Sequence, residues 1–259
     1  MSGPHDNLGE FSDPVNYDLE QAPLSQARIA FWCRMAQQFG GPVLELACGT
    51  GLVAIPVAAM GLSVTGVDLA APMLAHAQAK AERDDVDVRW IQGDVRELAL
   101  PRRFGFVILT GNAFQAFLAK ADQQALLLTV RRHLAPEGVF GFETRNPAGH
   151  ELRDEPEGPT EIAYVDVAGR RVLLSSSQAW DAATQVIHWT TYRRWCSDDG
   201  TAQARTTRIA CRFTSPDDIE DLLEAAGLEI AAQYGDWDFS PFRASGERLI
   251  TLCRLRAGC

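Results

Sequence analysis

Basic clusters are what this chain most plainly lacks. No run of lysine or arginine exceeds two residues, and 24 basic against 34 acidic residues leave a net charge of −10. Phosphate backbones are bound by clustered cations, so the sequence carries no nucleic-acid footprint. Arg131-Arg132 and Arg193-Arg194 read as solvated pairs on a helix and a strand. The six cysteines, at 33, 48, 196, 211, 253 and 259, include no C-x-x-C pair and have no nearby histidine comb. A zinc site and a disulfide framework are therefore not expected, no metal is assigned, and a reducing cytoplasm fits. The first 13 residues are polar and rich in Gly, Pro and Asp, unlike a secretory signal. Leu46 to Val67 carries no charge over 22 residues, yet four glycines and Pro56 break it into loop, helix and strand. It reads as buried core rather than a membrane span.

What is present concentrates in Val43-Leu44-Glu45-Leu46-Ala47-Cys48-Gly49-Thr50-Gly51 and Val64-Thr65-Gly66-Val67-Asp68. The first is an apolar strand carrying a carboxylate near its end, then a glycine-rich turn. The second is another apolar strand that ends in a carboxylate. This is the layout of a doubly wound α/β sheet that binds a nucleoside at the carboxyl ends of its strands. Glycine lets backbone approach a ligand where a Cβ would clash. Gly49-x-Gly51-x-x-Ala54 also satisfies the dinucleotide fingerprint, so the glycines alone leave two cofactors open. Glu45 discriminates between them: a carboxylate just before the turn repels a pyrophosphate and suits an ammonium and a sulfonium.

Alternating elements continue along the chain. Helix is expected from Ser25 to Phe39, from about Leu52 to Met60, over 72–83 and over 121–134. Strands are expected at 43–46, 63–67, 86–91, 104–109 and 139–143, which argues for a parallel sheet. Residues 1–20 read as a flexible arm, with Asp13-Pro14 as a turn marker. From Ile162 to Phe213 helical periodicity is lost and segments alternate, reading as a small antiparallel sheet inserted after strand five. Ser215-Pro216-Asp217-Asp218 starts a last helix, and 229–237 with 248–255 make a closing hairpin. The expected division is an arm over 1–24, a cofactor-binding domain of 25–146 and 214–259, and an insertion over 147–213 covering the substrate site. The fold class is α/β: a doubly wound, seven-stranded, mostly parallel Rossmann-like sheet with a small antiparallel sheet inserted.

Glu45-Leu46-Ala47-Cys48-Gly49-Thr50-Gly51 resembles motif I of the class I S-adenosylmethionine-dependent methyltransferases, E/D-x-G/A-x-G-x-G. Gln92-Gly93-Asp94-Val95-Arg96 is similar to that family's segment after strand three, and His133-Leu134-Ala135-Pro136-Glu137-Gly138 to its turn before strand five. The β insert and Asn16-Tyr17-Asp18 near the N-terminus resemble the small-molecule N-methyltransferase branch, which includes amino-sugar N,N-dimethyltransferases. The resemblance implies S-adenosyl-L-methionine as cofactor and S-adenosyl-L-homocysteine as product. It places Glu45 at the ammonium, Asp68 on the ribose diol and Asp94 on the adenine amino group. Gly49 and Gly51 lie against the methionyl moiety and ribose, and Ala47, Leu69, Met73, Val95 and Thr110 complete the cofactor set. It implies catalytic roles for Tyr17, Asn112 and Gln115 around a small-molecule acceptor. Arg145, His188, Tyr192, Trp180, Trp189 and Trp195 are further candidates near that acceptor.

Where relatives carry a histidine base after Asn-x-Phe-Gln, this chain has Ala116. Methyl transfer from a sulfonium needs mainly alignment, worth about 7–11 kcal/mol, whereas a general base gives about 10²–10⁴-fold. The missing histidine is thus compatible with N- or O-methylation. Two alternatives stay open at this point. An NAD(P)-dependent oxidoreductase would need an acid such as Tyr-x-x-x-Lys, which is absent. A cofactor-binding protein without turnover would keep the same pocket. The inserted sheet offers an edge through which a homodimer could pair.

Overall fold

A computed structural model describes residues 6–257, without the side chains of 6, 23–25 and 161–163. Residues 1–5 of the expected arm lie outside the described residues. A 3₁₀ segment, Asp6–Ser12, leads into α1 (Pro14–Phe39), β1 (Val43–Leu46), α2 (Ala54–Ala59), β2 (Val64–Asp68), α3 (Ala71–Arg83) and β3 (Arg89–Gln92). Then come β4 (Phe104–Leu109), α4 (Lys120–His133), β5 (Leu134–Arg145), β6 (Glu161–Val165), β7 (Arg171–Asp181) and β8 (Val186–Cys196). The chain closes with β9 (Ala202–Arg212), α5 (Pro216–Ala225), β10 (Leu228–Tyr234) and β11 (Arg248–Leu255).

Seven strands form the main sheet in the order β10-β11-β5-β4-β1-β2-β3, all parallel except β11. Because alternate side chains face opposite sides of a sheet, β1 serves two cores. Leu44 and Leu46 pack with Leu126, Leu127 and Ile219 from α4 and α5. Val43 packs with Phe31, Trp32 and Val57 from the side of α1 and α2. Glu45 shares the parity of Val43, so its carboxylate points toward α1.

Among the described residues, the expected arm proves to be helix from Pro14 onward. Asp13-Pro14, read as a turn, starts α1: the Asp13 carboxylate accepts from the Asn16 amide at 3.3 Å, and Pro14 occupies a first-turn position that needs no N–H donor. The helix begins well before Ser25, and the expected boundary at residue 24 falls inside it. Pro56 is likewise tolerated because it lies in the first turn of α2. The Pro136-Glu137-Gly138 turn lies within β5, where the β4–β5 register shifts between Phe104 and Phe106. A Cβ on Gly138 would stand 2.9 Å from the Phe104 carbonyl oxygen, so only glycine permits that approach.

β6 to β9 form a separate four-stranded antiparallel sheet, with β9 at one edge. The N-terminal segment covers that edge. The Asn7 amide donates to the Ala210 carbonyl at 2.9 Å and accepts from its N–H at 2.7 Å, as a neighbouring strand would. Buried Arg193 pairs with Glu10 and Glu20, each at 2.6 Å, and Arg205 with Asp13 at 2.7 Å. These bonds join the insert and the N-terminus into one cover.

At the start of α5 the Ser215 hydroxyl accepts from the Asp218 amide at 3.1 Å. Ser215→Ala should cost about 1 kcal/mol and lower Tm by about 2–4 °C in a thermal melt, leaving cofactor affinity unchanged.

Candidate active site

β1 pairs with both β2 and β4, so strand order reverses beside it and a crevice opens at the carboxyl ends. A cavity of about 1120 Å³ lies there, walled by the ends of β1, β2 and β4, by α1 with the N-terminal segment, and by β8 and β9.

Glu45 is buried against this cavity. One carboxylate oxygen accepts from the Thr110 hydroxyl at 3.0 Å, while Oε2 has no hydrogen-bond partner among the described residues. Burial pushes its pKa up to about 8, against the opposing pull of Thr110, the Ala54 amide and Arg28. An orphaned carboxylate oxygen is costly unless a cation or donor meets it. Arg28, whose charge acts on both Glu45 and Glu143, has an unpartnered Nε of its own. An unpaired acceptor and an unpaired guanidinium donor together fit the ammonium and carboxylate of an amino-acid moiety.

Ala47 and Gly49 take left-handed conformations, with φ of 50° and 55°, and both line the cavity. The Gly49 amide donates to Asp68 Oδ2 at 2.7 Å and the Ala70 amide to Oδ1 at 2.8 Å. Asp68 is thereby fixed at the end of β2, and burial raises its pKa. Leu69, Met73, Asp94, Val95 and Thr110 also line the cavity. The Asp94 carboxylate is held by the Arg96 guanidinium at 2.6 Å and by the Arg96 amide at 2.9 Å, and Arg96 in turn by Asp122.

Gly51 departs from expectation. It does not line the cavity; a Cβ there would lie 2.8 Å from the Trp90 ring and 3.1 Å from Ile55. Its left-handed φ of 75° and this close packing require glycine.

Of the three catalytic candidates, the structure brings two to the cavity. Tyr17 projects from α1, and burial lifts its phenol to about 12. Asn112 follows β4 with φ of 58°. Gly111 and Asn112 form a left-handed turn held from below by Glu143, which accepts from the Gly111 amide at 2.5 Å. Gln115 is a correction: it is fully buried and does not line the cavity. Its Nε2 donates to the Arg212 carbonyl at 3.2 Å and its Oε1 accepts from the Arg145 amide at 3.1 Å, so both ends of the amide are committed. Arg145, His188 and Trp189 line the cavity, whereas Tyr192, Trp180 and Trp195 do not. Trp180 packs on Phe213 instead.

Two site features escaped the sequence. Arg28 looks like an ordinary polar position on an amphipathic helix. Asp18, next to Tyr17, accepts from the Thr50 hydroxyl at 2.5 Å and from Lys80 at 2.6 Å, tying α1 to the glycine turn and α3. The Asp18 signal is invisible without knowing that the arm is helical, and Arg28, within the helix expected over 25–39, carries no local mark of a site.

The sheet order, the glycine turn, the two strand-end carboxylates and the walled cavity are those of a Rossmann-like domain with a nucleoside site at its strand ends. The chain matches the methyltransferase-domain family over residues 43–138. It is 30% identical over 247 residues to the cypemycin N-terminal methyltransferase of a Streptomyces species, covering 92% of this chain and 94% of the relative. The CcbJ methyltransferase from Streptomyces caelestis superposes with a TM-score of 0.80 at 25% identity, over 98% of both chains. S-adenosylmethionine-bound CalS10, an amino pentose methyltransferase from Micromonospora echinaspora, superposes at 0.68 with 22% identity over 87% and 89%. This chain belongs to that methyltransferase family and uses S-adenosyl-L-methionine. Nothing in these likenesses supports an oxidoreductase. Among the described residues no helix is long and apolar enough to cross a membrane.

Proposed function

We propose that the chain methylates the nitrogen of a small-molecule amine. The observation that carries this reading is the acceptor wall. Tyr17 and Asn112 offer a hydroxyl and an amide there, and the Tyr17 phenol, held at about 12, stays protonated at neutral pH. Among the described residues His188 is the one lining imidazole, and it is exposed on the face of β8 opposite Trp189. An amine presents a lone pair without a strong base, whereas an alcohol needs deprotonation. The names of the cypemycin N-terminal methyltransferase and of the amino pentose methyltransferase CalS10 support the same choice.

In this reading Glu45 holds the cofactor ammonium and Arg28 its carboxylate. Asp68 takes the ribose hydroxyls, Asp94 and Val95 the adenine edge, and Leu69 and Met73 the apolar faces. Gly49 gives the close backbone approach. When bound, S-adenosyl-L-methionine supplies a sulfonium-activated methyl group and departs as S-adenosyl-L-homocysteine. Tyr17 and Asn112 orient the amine, and the cover formed by 147–213 with the N-terminal segment keeps water from it.

Calorimetric titration with S-adenosylmethionine, S-adenosylhomocysteine and NAD, followed by transfer of labelled methyl to matched amines and alcohols, tests this. Binding of both sulfur nucleosides, none of NAD, and transfer to amines are expected. Transfer to alcohols with none to amines would overturn the choice of nitrogen.

A further inference from the structure

Arg145 stands at the end of β5, half-buried, on the acceptor side of the cavity. Its guanidinium lies 5.0 Å from the centre of the Trp189 ring. Its Nη1 donates to Gln115 Oε1 at 3.3 Å, and it contacts the Cys211 thiol. Gln115 is anchored at its other end on Arg212, and Trp189 by its indole N–H to Gln178 at 2.9 Å. The group is therefore pre-oriented by residues that are themselves fixed.

Its charge goes unanswered. Arg96, which also lines the cavity, is neutralised by Asp94 and Asp122, and Arg205 by Asp13. Arg28 sits in the field of Glu45 and Glu143. Among the described residues no carboxylate lies within ion-pair distance of Arg145, and its strand partner Arg248 is taken by Asp236. A half-buried guanidinium without a counter-charge is unfavourable unless a ligand completes it. A planar fork of five donors, two of them used by uncharged partners, matches the two oxygens of a carboxylate or phosphate.

We infer that the acceptor amine also carries an oxyanion, a carboxylate or a phosphate, and that Arg145 receives it while the nitrogen lies at Tyr17 and Asn112. This rests on the methyltransferase reading and adds the class of acceptor. Arg145 then selects the substrate by a bidentate contact, and Trp189 and Gln115 hold it in place.

The test uses the full chain and matched probes. Free amino acids are compared with their primary amides, and 2-aminoethyl phosphate with ethanolamine, for label transfer from S-adenosylmethionine, whose binding is measured first. The expected result is transfer to oxyanion-bearing amines with kcat/KM about 100-fold above the neutral partner. Which pair responds separates carboxylate from phosphate. Arg145→Gln should erase the preference with S-adenosylmethionine affinity unchanged, and Arg145→Lys should restore only part of it. Equal rates on neutral partners, or binding of S-adenosylmethionine with no transfer to any oxyanion-bearing amine, would overturn the inference. Loss of preference in the Arg145→Gln variant is read only if its thermal midpoint matches the native chain. Failure to bind S-adenosylmethionine would instead sink the methyltransferase reading beneath it.

Discussion

Asp68→Ala should weaken S-adenosylmethionine binding by at least about 100-fold. The carboxylate makes two kinds of bond at once. Its oxygens accept from the Gly49 and Ala70 amides at 2.7 and 2.8 Å, which sets the glycine turn against the end of β2. Asp68 also lines the cavity, where the ribose diol is assigned. Two charge-assisted hydrogen bonds to a ligand are worth about 1.5–3 kcal/mol each, and 2.7 kcal/mol already gives about 100-fold. Alanine also strands two backbone donors, so the turn loses the geometry in which Gly49 can approach a ligand. Asp68→Asn keeps one acceptor oxygen and should fall between. Calorimetry against S-adenosylhomocysteine measures both variants. Affinity within threefold of the native chain for Asp68→Ala would remove Asp68 from the ribose and leave it a purely structural residue.

Much of this site can be read from local patterns. Glu45, Gly49 and Asp68 are legible because strand, turn and strand are each specified within a few residues, and the cavity forms where parallel strands must end. Gly51 was legible as a glycine but not as a packing glycine. Its constraint comes from Trp90, far along the chain, which no local spacing reveals. Gln115 shows the same limit from the other side. Beside Asn112 it looks like an active-site amide, yet its partners Arg145 and Arg212 come from β5 and β9 and draw it under the wall. The N-terminal segment was misread because Asp13-Pro14 has the same composition as a turn and as a helix start. Only the long-range pairing of Glu10 and Glu20 with Arg193 decides that it is ordered cover. The site's missed residues, Arg28 and Asp18, both lie on that helix.

The electrostatics of Glu45 lead to a second large effect, this time in pH. Burial sets its folded pKa at about 8, above the ordinary carboxylate value of 4.5. Between those two values the native chain keeps a proton that the unfolded chain has released, so stability falls as pH rises through that window. The full span corresponds to on the order of 5 kcal/mol as an upper bound. Asp68 and Glu143, also raised by burial, push in the same direction. The ligand-free chain should therefore melt lower at pH 8.5 than at pH 6, and Glu45→Gln should flatten much of that slope. An ammonium placed against Oε2 reverses the balance by favouring the ionised carboxylate. Binding of S-adenosylmethionine near pH 6.5 should then expel about one proton, seen as a calorimetric enthalpy that changes with the ionisation heat of the buffer. The release should shrink above pH 8, where Glu45 is already ionised, and vanish in Glu45→Gln, which should also bind more weakly. A buffer-independent enthalpy at pH 6.5 in the native chain would mean that Glu45 does not meet the ammonium. The same burial that makes Glu45 unfavourable in the ligand-free chain at high pH makes it selective for a cation, so stability and cofactor choice are set by one side chain.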